Sequence, residues 1–203
     1  PRRALPAEER LLADLPRHRI AWQRPCPPVH PEDPDNHWGF SMEPPSLAEH
    51  QGELYNLCIA RGTLNDVERF RMQEHVIQTI IMLESLPWPA HLKRVPEIAG
   101  NHHERMDGQG YPRRLRLGEA SLEERIMALA DVFEALTAVD RPYKRGKTLS
   151  EALGLMHDMV RRGHIDRSVF ELFVRSGTYR RYAEQHLRPE QIDTVDESLF
   201  MQP

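Results

Sequence analysis

The sequence predicts an all-α protein, and three observations carry that prediction. Capping pairs, in which Asn, Ser or Thr is followed three residues later by Glu, stand at Asn65/Glu68, Ser121/Glu124 and Thr148/Glu151; each satisfies orphan amides at a helix start. The apolar residues behind them recur at helical spacing. No run of useful length alternates apolar and polar residues as a half-buried strand does, and no internal repeat is visible.

The elements follow in chain order. The first fifty residues hold more than half of the 17 prolines, in runs such as Arg24-Pro25-Cys26-Pro27-Pro28 that hold neither helix nor central strand. Residues 1–46 are expected to form an extended, proline-rich arm or the end of an insertion. One short helix is expected at Ala7–Leu15, with Trp22, Trp38 and Phe40 as anchors to the globular part, residues 47–203. The capping pair at Asn65 predicts a helix to about Ser85, before Pro87 and Pro89. A second starts at Pro96, a favourable first-turn residue, and runs through His103. Asp107–Gly118 breaks the helical pattern. Ser121 opens a helix through Thr137, Thr148 one ending near Gly163, and Asp166 one ending at Gly177; Tyr179–Leu187 and Pro189–Val195 read as short closing helices.

Composition narrows the function classes. At 203 residues the chain can hold one domain with a core, or one domain and a tail. The net charge of -4 offers no global attraction for nucleic acid or anionic membrane, so any phosphate-binding surface must be a local basic cluster. Cys26 and Cys58 are too few for a disulfide framework or a thiolate zinc site, and fit a reducing, cytoplasmic location. No apolar run is long enough to span a bilayer. The chain starts at Pro1 rather than Met, which reads as a trimmed or expressed fragment. Histidine is the unusual residue, at 11; His18, His30, His37 and His50 lie in polar, proline-rich sequence and read as solvent-exposed.

Four other positions carry chemistry. Asp131 follows Ile126-Met127-Ala128-Leu129-Ala130, a stretch apolar on nearly every face that predicts burial. A buried carboxylate needs a cation or a metal, so Asp131 is equally a metal ligand or the partner of Arg141 or another arginine. His102 and His103, on a helix, would point about 100° apart and reach two neighbouring ions, or one ion and its bound water or phosphate, rather than chelate one ion from the same direction. A pair of this kind, taken alone, is more often a surface pair. His75 shares a face with Met72, Thr79 and Met82 and, taken alone, is more often a core histidine. Together the four come from three successive helices that can converge them, and nitrogen and oxygen ligands without thiolate suit a hard or borderline divalent metal doing hydrolysis. The turn Asp107-Gly108-Gln109-Gly110-Tyr111-Pro112, followed by Arg113, Arg114 and Arg116, sets an aromatic ring and basic groups beside the histidines. A second basic turn, Asp140-Arg141-Pro142-Tyr143-Lys144-Arg145, follows the Asp131 helix. Each is either a plain connection or a nucleotide-recognising turn.

The order and spacing of three elements resemble the HD-GYP family, a branch of the HD-domain phosphohydrolases. They are the run from His102-His103-Glu104 to Tyr111-Pro112, the helix Ala130-Asp131-Val132-Phe133-Glu134-Ala135-Leu136-Thr137, and Asp140-Arg141-Pro142-Tyr143-Lys144. The resemblance covers about Tyr55 to Leu187. It implies a helical bundle of the HD-domain type, two or three iron or manganese ions, and hydrolysis of cyclic di-GMP to pGpG or GMP. It implies His75, His102, His103 and Asp131 as metal ligands, Tyr111 and Pro112 beside the substrate, and Arg141 and Lys144 on the dinucleotide phosphates. The chain departs from the family upstream of His75, where earlier metal-ligating Glu and His positions are missing and the proline-rich arm replaces the helix before Arg61-Gly62-Thr63. The His-Asp pair that bridges the metals, followed two residues later by Gly-Lys, belongs upstream of His75, and nothing there supplies it. His157-Asp158 has the letters but lies downstream on another helix. The N-terminal part of the domain is therefore expected to be missing, catalytic residues included.

Three functions follow from this reading. The first is the C-terminal half of a cyclic di-GMP phosphodiesterase, inactive or weakly active alone. The second is a non-catalytic module that binds nucleotide or docks diguanylate cyclase-type signalling proteins through the Tyr111 loop. The third is another HD-type phosphohydrolase acting on nucleotides or phosphomonoesters.

Overall fold

Each of the three capping pairs opens a helix, in the reciprocal form that a capping box takes. The computed structural model describes residues 29–45, 52–59, 62–139 and 146–201. Among them lie α1 (Glu53–Leu57), α2 (Asp66–Gln73), α3 (His75–Glu84), α4 (Val95–Gly100), α5 (Leu122–Thr137), α6 (Leu149–Arg161), α7 (Arg167–Arg175) and α8 (Thr178–His186), with three 3-10 turns at Ala90–Leu92, Pro189–Gln191 and Glu197–Phe200. Asn65, Ser121 and Thr148 accept from the third helical amide, while Glu68, Glu124 and Glu151 accept from the capping residue. Asp166 caps α7 through Val169 N at 3.0 Å. Among the described residues the only extended pairing is an isolated antiparallel bridge, Asp107 to Arg116, and no helix is long and apolar enough to cross a membrane. The all-α expectation holds.

The chain divides into two compact units, residues 1–79 and 80–203, with the division falling inside α3. In the first, residues 29–45 make successive turns. The Asn36 side chain donates to the carbonyls of Pro31 (3.2 Å) and Phe40 (2.9 Å) and accepts from Phe40 N (3.0 Å), standing in for the ladder bonds that the proline-rich sequence lacks. Trp38 stacks on Phe40, and Val29, Phe40 and Met42 are buried. The expected helix at Ala7–Leu15 and the anchor Trp22 lie outside the described residues. Farther on, Asn65 Nδ2 donates to Asn56 Oδ1 (2.8 Å) and the Tyr55 hydroxyl to Asp66 (3.1 Å), joining α1 to α2.

The second unit holds the larger core. Leu129 and Phe133 of α5, Leu149, Ala152, Leu153, Met156 and Val160 of α6, Val169, Phe170 and Val174 of α7 and Tyr179 and Ala183 of α8 form one buried cluster. Phe133 meets Phe173 and Tyr182 edge to face, the favoured aromatic geometry. His157 belongs to this packing, with its ring against Phe170 and Phe200, while Asp158 pairs with Arg161 at the surface. The two residues of the His157-Asp158 pair thus face different surroundings, one the aromatic packing and the other the surface.

Three element boundaries differ from the sequence reading. The helix expected from Asn65 to Ser85 is interrupted at Glu74, where the His75 ring takes the Met72 carbonyl at 2.6 Å. The helix expected through His103 stops at Gly100. Pro189–Val195 makes only the 3-10 turn Pro189–Gln191, because Gln191 turns inward to donate to the carbonyls of Thr137 (2.8 Å) and Lys147 (3.0 Å).

Candidate functional site

The centre of the site is the turn that ends α4. A Cβ on Gly100 would fall 2.1 Å from Ile80 Cγ1, so the end of α4 lies directly on α3 and only glycine allows that approach. The next residue, Asn101, is 1% exposed. Its side chain donates to Glu124 Oε1 at 3.0 Å, while Glu124 Oε2 accepts from Ser121 N at 2.6 Å. One carboxylate thus caps α5 and ties the histidine turn to it. Asp131 stands seven residues after Glu124 on the same helix, two turns along one face. That relation brings Asp131 beneath the pair: His103 Nδ1 lies 3.8 Å from Asp131 Oδ2.

His102 and His103 sit in the turn, not on a helix, and the turn changes what they can do. Their ring centroids are 4.1 Å apart, so they are not splayed as two adjacent helical residues would be. His102 Nδ1 lies 2.6 Å from the Ala99 carbonyl. A carbonyl only accepts, so Nδ1 carries the proton and Nε2 keeps the lone pair. The Met72 carbonyl fixes the same tautomer in His75. Orienting a ligating imidazole through its other nitrogen is the usual support of a metal site. The imidazoles of His102 and His103 with the Asp131 carboxylate, without thiolate, fit a borderline divalent ion.

Two expectations about these residues are corrected. Asp131 is not buried: its side chain is 39% exposed, and Ile126 and Met127 on the same helix are exposed too. The apolar face of α5 that enters the core is the one through Leu129 and Phe133, so an apolar stretch longer than the core face overstated burial. His75 is not a core histidine but lies exposed at the start of α3. The buried neighbours Val76, Ile77 and Ile80 occupy the inward face in its place.

The Tyr111 loop folds back over this turn. Tyr111 N donates to the His103 carbonyl (3.3 Å), and the two rings lie 4.9 Å apart. Burial pushes the Tyr111 hydroxyl up to about 12, helped by the charge of Asp131, so it stays a neutral phenol at physiological pH. Pro112 is buried. Glu104, 2% exposed, accepts from the backbone amides of Arg113 (2.6 Å), Arg114 (3.1 Å) and Leu115 (2.8 Å). Burial pushes its carboxyl up, and those three amides and Arg113 pull it part of the way back. A Cβ on Gly110 would lie 2.3 Å from Arg105 N and 2.5 Å from Glu104 Cα, so the loop rests on this backbone. Behind it, Arg105 pairs with Asp107 at 2.6 Å. Burial holds the neighbouring His164 below its ordinary value, with Arg105 adding to the shift and Asp107 opposing it.

Of the expected residues, His102, His103 and Asp131 come together within the second unit, Tyr111 joins them through His103, and His75 belongs to the first unit. Arg141 and Lys144 lie outside the described residues. Sequence reasoning gave no role to Asn101 and Glu104, and gave Glu124 only its capping role opposite Ser121. Glu104 was visible as the residue that follows the pair, whereas Asn101 and Glu124 bond across 23 positions and carry no local signal.

A family model described as "HD domain" matches residues 6–169. That span starts well upstream of Tyr55, where the motif resemblance begins. Among curated proteins, the chain is 41% identical over 115 residues to a 3'3'-cGAMP-specific phosphodiesterase of Vibrio cholerae, covering 57% of this chain and 26% of that protein. It is 43% identical over 82 residues to a cyclic di-GMP phosphodiesterase of Pseudomonas aeruginosa, covering 40% and 19%. To a cyclic di-GMP phosphodiesterase of Thermotoga maritima it is 52% identical over 96 residues, covering 47% and 26%. The chain spans about a quarter or less of the length of these relatives.

Proposed function

The chain belongs to the HD domain family, and from that premise we propose that it is the C-terminal half of a metal-dependent phosphodiesterase hydrolysing cyclic di-GMP to pGpG or GMP. The relatives named above act on cyclic di-GMP or 3'3'-cGAMP, and both are guanine-containing cyclic dinucleotides. The observation that carries the reading is the histidine turn, with His102 oriented by the Ala99 carbonyl through Nδ1 and His103 beside Asp131. In the proposal His75, His102, His103 and Asp131 hold iron or manganese, in a site of two or three ions completed by residues upstream of this half. Residues 1–46 are then an arm or the end of an insertion.

Bound there, such ions supply polarisation of the phosphoryl group and an activated water. This chain's own residues do the rest. The carbonyls of Met72 and Ala99 keep two rings in one tautomer. Tyr111, a neutral phenol packed on His103, presents a hydrogen-bond donor and an aromatic edge to the dinucleotide, with Pro112 holding the turn. Arg141 and Lys144 neutralise the substrate phosphates. A cytoplasmic location and docking to diguanylate cyclase-type proteins belong to the same proposal.

The test is elemental analysis of the purified full-length protein, with turnover of cyclic di-GMP, 3'3'-cGAMP and ordinary nucleotides. The expected result is iron or manganese, hydrolysis of cyclic di-GMP, loss of both on chelation, and loss of metal in His102→Ala and His103→Ala. Metal-loaded protein that binds cyclic di-GMP without turnover overturns the enzyme in favour of the binding module. Turnover of ordinary nucleotides alone overturns the substrate.

A further inference from the structure

Glu104 follows the histidine pair but points away from it, into the protein. It faces three consecutive backbone amides, those of Arg113, Arg114 and Leu115. Arg114 stands between them at φ 61°, a left-handed conformation uncommon outside glycine. Successive amides turned to one side by such a residue form an anion-binding concavity. Here the chain fills that concavity with its own carboxylate.

We propose that Glu104 is a positioning residue for the substrate: it fixes Tyr111 and Pro112 over His103 by occupying the amide concavity of residues 113–115. Two backbone positions hold the Tyr111-Pro112 dipeptide. Before it, Tyr111 N donates to the carbonyl of His103. After it, the three amides close on the side chain of Glu104. Both anchors belong to adjacent residues, 103 and 104, so the tyrosine ring keeps its place 4.9 Å from the His103 ring. Charge-assisted bonds of this kind are shorter and roughly twice as strong as neutral ones. The histidine turn itself is tied to α5 by the bond from Asn101 to Glu124, which does not run through Glu104, although Arg113 also donates to Asn101 Oδ1 at 3.3 Å. Loosening the Tyr111 loop at Glu104 is therefore expected to leave the metal ligands in place. Glu104 sets how tightly the dinucleotide is held, and the ligand set governs the chemical step.

The inference rests on the proposed cyclic di-GMP reading, and the experiment separates the two. Glu104→Gln, made in the full-length metal-loaded protein, keeps the shape but turns an NH2 group toward a backbone amide. Amide hydrogen exchange at residues 113–115 is expected to accelerate at least tenfold, with α5 unchanged. KM for cyclic di-GMP is expected to rise about tenfold, with kcat within about twofold and metal content unchanged. Unchanged exchange, a raised exchange with unchanged KM, or a loss confined to kcat or to metal content each overturns the role. If Glu104→Gln does not fold, Glu104→Asp, which keeps the charge and shortens the reach, is read by the same criteria. If the parent protein does not turn over cyclic di-GMP, the proposed function fails on that result. Exchange at residues 113–115, with cyclic di-GMP affinity by calorimetry in place of KM, then decides the role of Glu104.

Discussion

Replacing Gly110 by alanine tests the Tyr111 loop at its tightest point. The added Cβ would meet Arg105 N at 2.3 Å, Glu104 Cα at 2.5 Å and the Glu104 carbonyl carbon at 2.7 Å. All three are backbone atoms, so no flexible side chain can yield. Ordinary contact begins near 3.4 Å, and the loop must retreat by about 1 Å. Overpacking of this kind costs about 1–3 kcal/mol. For a chain of this size that lowers Tm by about 2–4 °C per kcal/mol. A retreat of that size carries Tyr111 off His103, and misplacement by about 1 Å costs on the order of 100-fold in kcat/KM, carried by KM. The assay is thermal unfolding beside kcat/KM for cyclic di-GMP in the full-length protein. Gly118→Ala is the control: no atom lies within 4 Å of its Cβ, so it is expected to be neutral or to stabilise by up to about 1 kcal/mol through the unfolded chain. A Gly110→Ala protein that melts and turns over like its parent would refute the claim that this loop is held against the residues following the histidine pair.

Two further predictions concern the frame around the site. Asp166, its side chain 4% exposed, accepts from Arg125 at 2.6 Å and caps α7. Burial alone would raise its carboxyl, but the Arg125 bond and the Val169 amide outweigh it and hold it below the ordinary value. Asp166→Asn is expected to destabilise by about 2–3 kcal/mol, less than the 3–5 of a fully buried pair, because Arg125 keeps some water. A depressed carboxyl gives stability that is complete above its unfolded value of about 3.9 and fades as pH falls through the folded one. Denaturant melts should therefore show the gap between parent and variant closing in acid; a gap constant with pH would count against the ion pair. Gln191→Leu strips the donor from the carbonyls of Thr137 and Lys147, which flank residues 140–145. The buried Thr137 acceptor left unmet costs about 1–3 kcal/mol and the part-buried Lys147 acceptor less, so a chemical-denaturation midpoint unmoved by the change would rule out this clamp.

The helix starts were legible because their causes are local. Asn65, Ser121, Thr148 and Asp166 each bond an amide three residues away, and a reader of sequence sees both partners at once. The helix ends near the site were not legible. Nothing beside Gly100 announces that Ile80, twenty positions earlier, lies where its side chain would be. Nor does the apolar run before Asp131 reveal which of its faces enters the core.

The residue types of the site stand in the sequence in family order, and the sequence by itself determined the all-α class, the helix starts, the HD-domain membership and the identities of His75, His102, His103, Asp131 and Tyr111. The tertiary structure decided their use. It put the histidine pair in a turn rather than on a helix, left Asp131 half-exposed beside His103, gave two imidazoles a fixed tautomer and turned Glu104 into the anchor of the Tyr111 loop. The physical reason is distance along the chain. Capping acts over one helical turn, whereas the bonds from Asn101 to Glu124, from Glu104 to Leu115 and from His103 to Asp131 form only once the chain has folded back on itself.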